Sequence, residues 1–232
     1  MYFRMLHDEA TGAMSYLLAD LAAGEAVLID PRGEDLPVLA AMLAEHRLRL
    51  AAWLRTHAHD DRHPGEAETL AAGLGAPCIR SAVPPGGIVA FGDEHLRVLA
   101  TPGHTHDDLS FLWRDRLFCG GLLAVDACPD QPWPANPQAL WDSVMREVFQ
   151  RPAETLVFGG HSRRGRSVSS VHEQRRWHPW FAGAGRDEFL ARVRELPSAA
   201  AVIDRPPPSR AFAASPARPM RPSHHAPSRV NP

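Results

Sequence analysis

Thr56-His57-Ala58-His59-Asp60-Asp61-Arg62-His63 places three histidines and two aspartates in eight residues. It follows Leu50-Ala51-Ala52-Trp53-Leu54-Arg55, a short apolar run that reads as a buried strand. Pro64-Gly65 comes next, then the run from Glu66 to Ala72, rich in helix formers with acids in its first turn. The cluster therefore sits where a strand ends and a helix begins, the edge at which α/β sheets place their ligands. Neutral imidazole is the commonest protein metal ligand. His57 and His59, two apart in an extended loop, can converge on one ion. A histidine-bearing surface loop is the plainer alternative in a chain with 13 histidines. The order strand, His-x-His-x-Asp, helix favours the metal.

Working outward, the same arrangement recurs twice. His95 to Ala100 reads as a strand that ends in Thr101-Pro102-Gly103-His104-Thr105-His106-Asp107-Asp108. Thr155 to Phe158 reads as a strand that ends in Gly159-Gly160-His161. Three strand ends thus deliver His57 with His59, His104, and His161. The rest of the chain fits around them. Ser15–Asp20 and Glu25–Asp30 read as an antiparallel pair, and Asp35–Arg47 has helical spacing. Pro77–Arg80 reads as a short strand, and Pro84-Pro85-Gly86-Gly87 as loop. Leu109–Trp113 and Leu117–Cys119 read as a hairpin closed by Gly120-Gly121. Helices are predicted over Ala139–Gln150, Ser167–Trp177 and Arg186–Leu196.

At 232 residues, with 44% hydrophobic and 22% charged residues, the composition is that of a soluble globular protein. A net charge of −2 gives no nucleic-acid footprint. No apolar run reaches the roughly 20 residues that a membrane helix needs. The first nine residues lack signal-peptide architecture. Cys78, Cys119 and Cys128 are odd in number and irregular in spacing, which argues for thiols in a reducing, cytoplasmic setting. A domain over residues 1–200 is expected, followed by residues 201–232. From 205 on, that segment is rich in Pro, Arg, Ser and Ala and reads as a disordered, basic tail.

Several stretches carry a family resemblance. These are Ala26-Val27-Leu28-Ile29-Asp30-Pro31, Thr56-His57-Ala58-His59, Thr101-Pro102-Gly103-His104-Thr105, and Leu156 to His161 continuing into Val168-Ser169-Ser170-Val171. With these, residues 1–196 resemble the metallo-β-lactamase superfamily, nearest its persulfide dioxygenase branch, with glyoxalase II beside it. The resemblance implies an αββα sandwich of two mixed β-sheets flanked by helices. It implies metal ligands at His57, His59, His104 and His161.

The departures from the family pattern matter as much. Arg62 stands where the family has a histidine, and His63 is one residue late. Gly121 stands where the family has a metal-binding aspartate. A second ion would keep only Asp61 and His161, so the resemblance implies one iron or zinc ion, or none. Arg62 would fill the second site as a fixed cation paired with Asp61. Asp126 is a candidate to reach in for the missing carboxylate. Cys128 falls where the branch has a cysteine near its substrate. Arg163 and Trp180 stand where the branch has a tyrosine and an arginine that hold glutathione, so the glutathione-holding residues do not match.

Three readings of function stay open. One is a persulfide dioxygenase-like enzyme. One is a thioester hydrolase with Asp61 as the general base. One is a non-catalytic binding or regulatory protein that has lost its metal. The substrate would be a small thiol, persulfide or thioester, with no nucleic-acid or membrane partner; assembly as a homodimer stays open. If the site is an eroded two-metal centre, Gly121→Asp with Arg62→His is expected to raise its metal content.

Overall fold

A computed structural model of the chain describes residues 1–57, 65–79, 84, 86–124, 128, 133–162 and 166–195. All of them lie in the compact unit Met1–Leu196; the remaining unit, Pro197–Pro232, lies outside them. Five strands form the first sheet in chain order: β1 (Tyr2–His7), β2 (Met14–Asp20), β3 (Glu25–Ile29), β4 (Arg49–Leu54) and β5 (Cys78–Ile79). The first two pairings are antiparallel and the last two parallel. A parallel pairing needs a crossover, and α1 (Leu36–Glu45) and α2 (Glu66–Leu74) lie in those two connections.

The second sheet runs β6 (Ile88–Phe91), β7 (Glu94–Ala100), β8 (Leu109–Trp113), β9 (Arg116–Phe118), β10 (Leu156–Phe158), β11 (Ser169–Ser170). Its pairings are antiparallel except β9 with β10. That crossover carries α3 (Pro137–Ser143), which continues as a π-helical turn over Val144–Val148. Helices α4 (Val171–Trp177) and α5 (Arg186–Arg194) follow.

Alternation along the strands builds the layers. Tyr16, Leu18, Val27 and Ile29 from the first sheet share one core with Phe111, Trp113, Phe118 and Phe158 from the second. Their neighbours Leu17, Ala19, Ala26 and Leu28 turn the other way, onto Leu39 of α1 and Leu70 of α2. On the far side, Leu99, Leu117 and Val157 pack against Leu140, Val171, Phe189 and Val193. The order is helix, sheet, sheet, helix, as expected. Every residue of β2 is buried because both of its faces are covered.

The sequence reading missed two strands and misplaced the starts of two helices. β1 and β6 were not expected as strands. Each borders its sheet, and β6 carries apolar residues on both faces, so Ile88 points into solvent at 59% exposure while Val89 is buried. The helix expected from Ser167 begins at Val171, because Ser169 and Ser170 pair with Val157 and Leu156. Ser170 then caps α4 by accepting from the Glu173 amide. The helix expected from Ala139 starts at Pro137, with Asn136 capping it through the Ala139 amide at 3.0 Å.

Candidate metal centre

β3 and β4 run the same way in the first sheet. In the second, β7, β9 and β10 share one direction, since β8 is antiparallel to both β7 and β9. The residues just past the C-terminal ends of these strands are Asp30, His57, His104, Gly120-Gly121 and His161. Three of the imidazoles meet there. The His57 ring centroid is 4.9 Å from that of His104 and 6.0 Å from that of His161.

His57 is oriented by the strand beside it. The buried Asp30 carboxylate accepts from the Thr56 amide and from the Thr56 hydroxyl, both at 2.7 Å. The same hydroxyl oxygen lies 2.8 Å from His57 Nδ1. Its only hydrogen is committed to Asp30, so it can only accept from Nδ1–H. That places the proton on Nδ1 and leaves the Nε2 lone pair for a metal. Burial pushes the Asp30 carboxyl up to about 6, against the pull of the two hydrogen bonds from Thr56. Gly120 makes room for this pair. Its φ is +52°, and a Cβ there would lie 2.3 Å from Thr56 Oγ1.

His161 is held by both sheets. It forms a lone antiparallel bridge with Ala13, in the turn between β1 and β2. The Met14 amide donates to Gly160 O at 2.9 Å and the Ser162 amide to Gly12 O at 2.7 Å. The Gly160 amide reaches Gly120 O at 2.7 Å. The Tyr16 hydroxyl donates to Gly159 O. These contacts fix the last histidine relative to the glycine pair after β9.

His104 is completely buried. Its loop is pinned by Leu109 N donating to Thr56 O at 2.7 Å, which ties it to the His57 segment. Asp108 closes the loop, accepting from the Thr105 amide at 2.7 Å and the Thr105 hydroxyl at 2.5 Å. Burial pushes Asp108 up to about 7. Residues 106–108 complete the loop after His104. His106 and Asp107 are exposed, but Asp108 is structural.

The His104 ring rests directly on Gly121. A Cβ on that glycine would come 2.0 Å from His104 Cδ2 and 2.3 Å from Nε2. The imidazole thus occupies the space that the first carbon of an aspartate at 121 would need, and it would have to move for that residue to be restored.

Among the described residues, the donors that converge are His57, Cys128 and His161, each offering one ligand atom, all within 4.8 Å of one another. Cys128 was expected beside the substrate; it stands among the histidines. His59, Asp61, Arg62, Asp126 and Arg163 lie outside the described residues. Trp180 is buried in the helix-side core. His178 follows the last residue of α4, Trp177. It is buried, with Nε2 2.9 Å from Leu123 O and Nδ1 accepting from the Trp180 amide at 3.2 Å. The orienting pair Asp30 and Thr56 was missed as a functional feature. Its signal was an aspartate ending the strand beside the histidine-bearing one.

The chain is 30% identical over 188 residues to the mitochondrial persulfide dioxygenase ETHE1 of Homo sapiens, covering 76% of this chain and 74% of that protein. It belongs to the metallo-β-lactamase superfamily. No family model matches it. Within the superfamily, the crystal structure of ETHE1 from Myxococcus xanthus superposes with a TM-score of 0.75 at 35% identity, covering 85% of this chain and 92% of that one. A hydroxyacylglutathione hydrolase of Rhodospirillum rubrum is 35% identical over 161 residues, covering 63% of this chain and 60% of that protein. No described helix is long and apolar enough to cross a membrane.

Proposed function

We propose that the chain is a mononuclear metal-dependent enzyme of the persulfide dioxygenase type, acting on a persulfide carried by a small thiol. The observation that carries this is the convergence of His57, His161 and Cys128 beside His104 at the strand ends. The similarity to the Myxococcus xanthus ETHE1 structure across 92% of its length supports the choice of branch.

A bound iron ion would supply a redox-active centre with open positions for oxygen, whereas zinc, which has no redox chemistry, would supply only the Lewis acidity that the hydrolase reading needs. The protein's own contribution is positional. Asp30 and Thr56 orient the His57 ring through Nδ1, and the Ala13 bridge holds His161. Thioester hydrolysis is the second reading, favoured by the 35% identity to a hydroxyacylglutathione hydrolase.

One experiment separates the readings. Iron-loaded protein is offered a glutathione persulfide in an oxygen electrode, and iron- or zinc-loaded protein is separately offered an acylated glutathione with a thiol reagent. Oxygen uptake with the persulfide is the expected result. Thiol release from the thioester without oxygen uptake would replace this reading with the hydrolase. Neither activity, in protein that retains its fold, would leave the non-catalytic reading.

A further inference from the structure

We infer that Cys128 is a metal ligand, its thiolate joining the imidazoles of His57 and His161 in place of the carboxylate absent at Gly121. The inference deepens the proposed function and rests on it only in requiring that a metal be bound.

The first support is geometric. The three donor atoms lie within 4.8 Å of one another. Metal–nitrogen bonds of about 2.0–2.1 Å and a metal–sulfur bond of about 2.3 Å, set in a tetrahedron, put such atoms roughly 3.3–3.7 Å apart. The set needs only a small closure around an ion. The fourth position stays open, as in catalytic sites with three protein ligands.

The second support is what Cys128 does not do. A buried cysteine is most simply a small piece of apolar core. Cys119 fits that description. It is 2% exposed in the helix-side cluster, and burial pushes its thiol up to about 12. Cys128 is 0% exposed, yet among the described residues it joins none of the three apolar clusters and stands with two imidazoles.

The third support is charge. Two neutral imidazoles leave a divalent cation uncompensated in a partly buried place. A carboxylate at position 121 would supply an anion, but that residue is glycine and its space is filled by the His104 ring. A thiolate supplies the same single negative charge from the loop that follows. The exchange alters preference, because sulfur donors favour softer ions such as zinc, or iron in sulfur-rich sites, over oxygen-loving ones.

Cobalt(II) reads this directly, because a thiolate bonded to cobalt gives an intense charge-transfer absorption in the near ultraviolet that nitrogen and oxygen donors do not. Cobalt is titrated into the full-length protein after chelator treatment. The parent is expected to bind it and show the band. Cys128→Ser should lose the band and bind zinc at least about tenfold more weakly, since losing even a supporting partner costs 10–100-fold.

The Cys78→Ser, Cys119→Ala double variant retains Cys128 as the only cysteine of the three in the chain. It should keep the band, and it decides the matter even if Cys128→Ser fails to fold. Cobalt bound without the band in parent and double variant would overturn the thiolate ligand and leave the metal reading standing. No cobalt bound at all would overturn both.

Discussion

Gly121→Ala is the most pointed test of how the site is built. Its new Cβ would start 2.0 Å from His104 Cδ2, whereas ordinary contact begins near 3.4 Å. The His104 ring is fully buried, and its carbonyl is bonded to the Ala135 amide at 2.9 Å, so it has little freedom to retreat. Overpacking of this kind costs about 1–3 kcal/mol. Taking about 2 kcal/mol, a domain of this size should lose about 4–8 °C in Tm. The assay is thermal unfolding followed by circular dichroism. Gly185→Ala serves as the control, since nothing lies within 4 Å of a Cβ there. Gly121→Asp should be at least as costly and should not raise the metal content, alone or with Arg62→His. A Gly121→Asp protein as stable as the parent that binds an extra equivalent of metal would refute the reasoning. Gly121 would then be an empty ligand position and not the seat of a ring.

Further outcomes follow from the same contacts. Thr56→Val keeps the shape of the side chain but leaves Asp30 and His57 Nδ1 without the shared hydroxyl. It should weaken metal binding by about 10–100-fold and cost about 1–3 kcal/mol in stability, read by metal titration and urea unfolding; unchanged affinity would dismiss the orienting role. Asp30 and Asp108 sit at about 6 and about 7, above the ordinary 3.8. The folded protein therefore keeps protons that the unfolded chain releases, and these two groups make stability fall as pH rises from about 4 to about 7. Asp108→Asn should flatten that fall in metal-free protein, as urea midpoints across the window would show; an unchanged slope would contradict the assignment. Deleting residues 205–232 should leave Tm nearly unchanged, because few apolar groups there could be buried; a loss of several degrees in calorimetry would show that they pack on something.

Much of the architecture was legible because the central strands are apolar runs with both faces covered. Tyr16 and Leu18 face one way and Leu17 and Ala19 the other, so both sheets and their helix-covered faces follow from period two. The three histidine-bearing strand ends were legible for the same reason, since each apolar run stops where polar residues begin. β1 and β6 were not, because border strands with exposed positions such as Ile88 lose the contrast that marks a strand. Within the site, His57, His104 and His161 could be named from sequence, but their spacing could not. That Cys128 stands with two of them, and that His104 lies on Gly121, depends on contacts between residues that are 17 to 104 positions apart. The Asp30–Thr56–His57 relay was hidden for a related reason: it arises only when β3 and β4 pair in parallel.

The central claim is that this chain holds one metal at these strand ends. Elemental analysis of protein purified without added metal tests it most directly. The account predicts about one equivalent of iron or zinc, as three protein ligands with an open position would hold, and loss of most of it in His57→Ala. Less than about a tenth of an equivalent, with no uptake when iron or zinc is supplied, would contradict it, because a preformed site that binds no metal contributes no binding free energy to the fold.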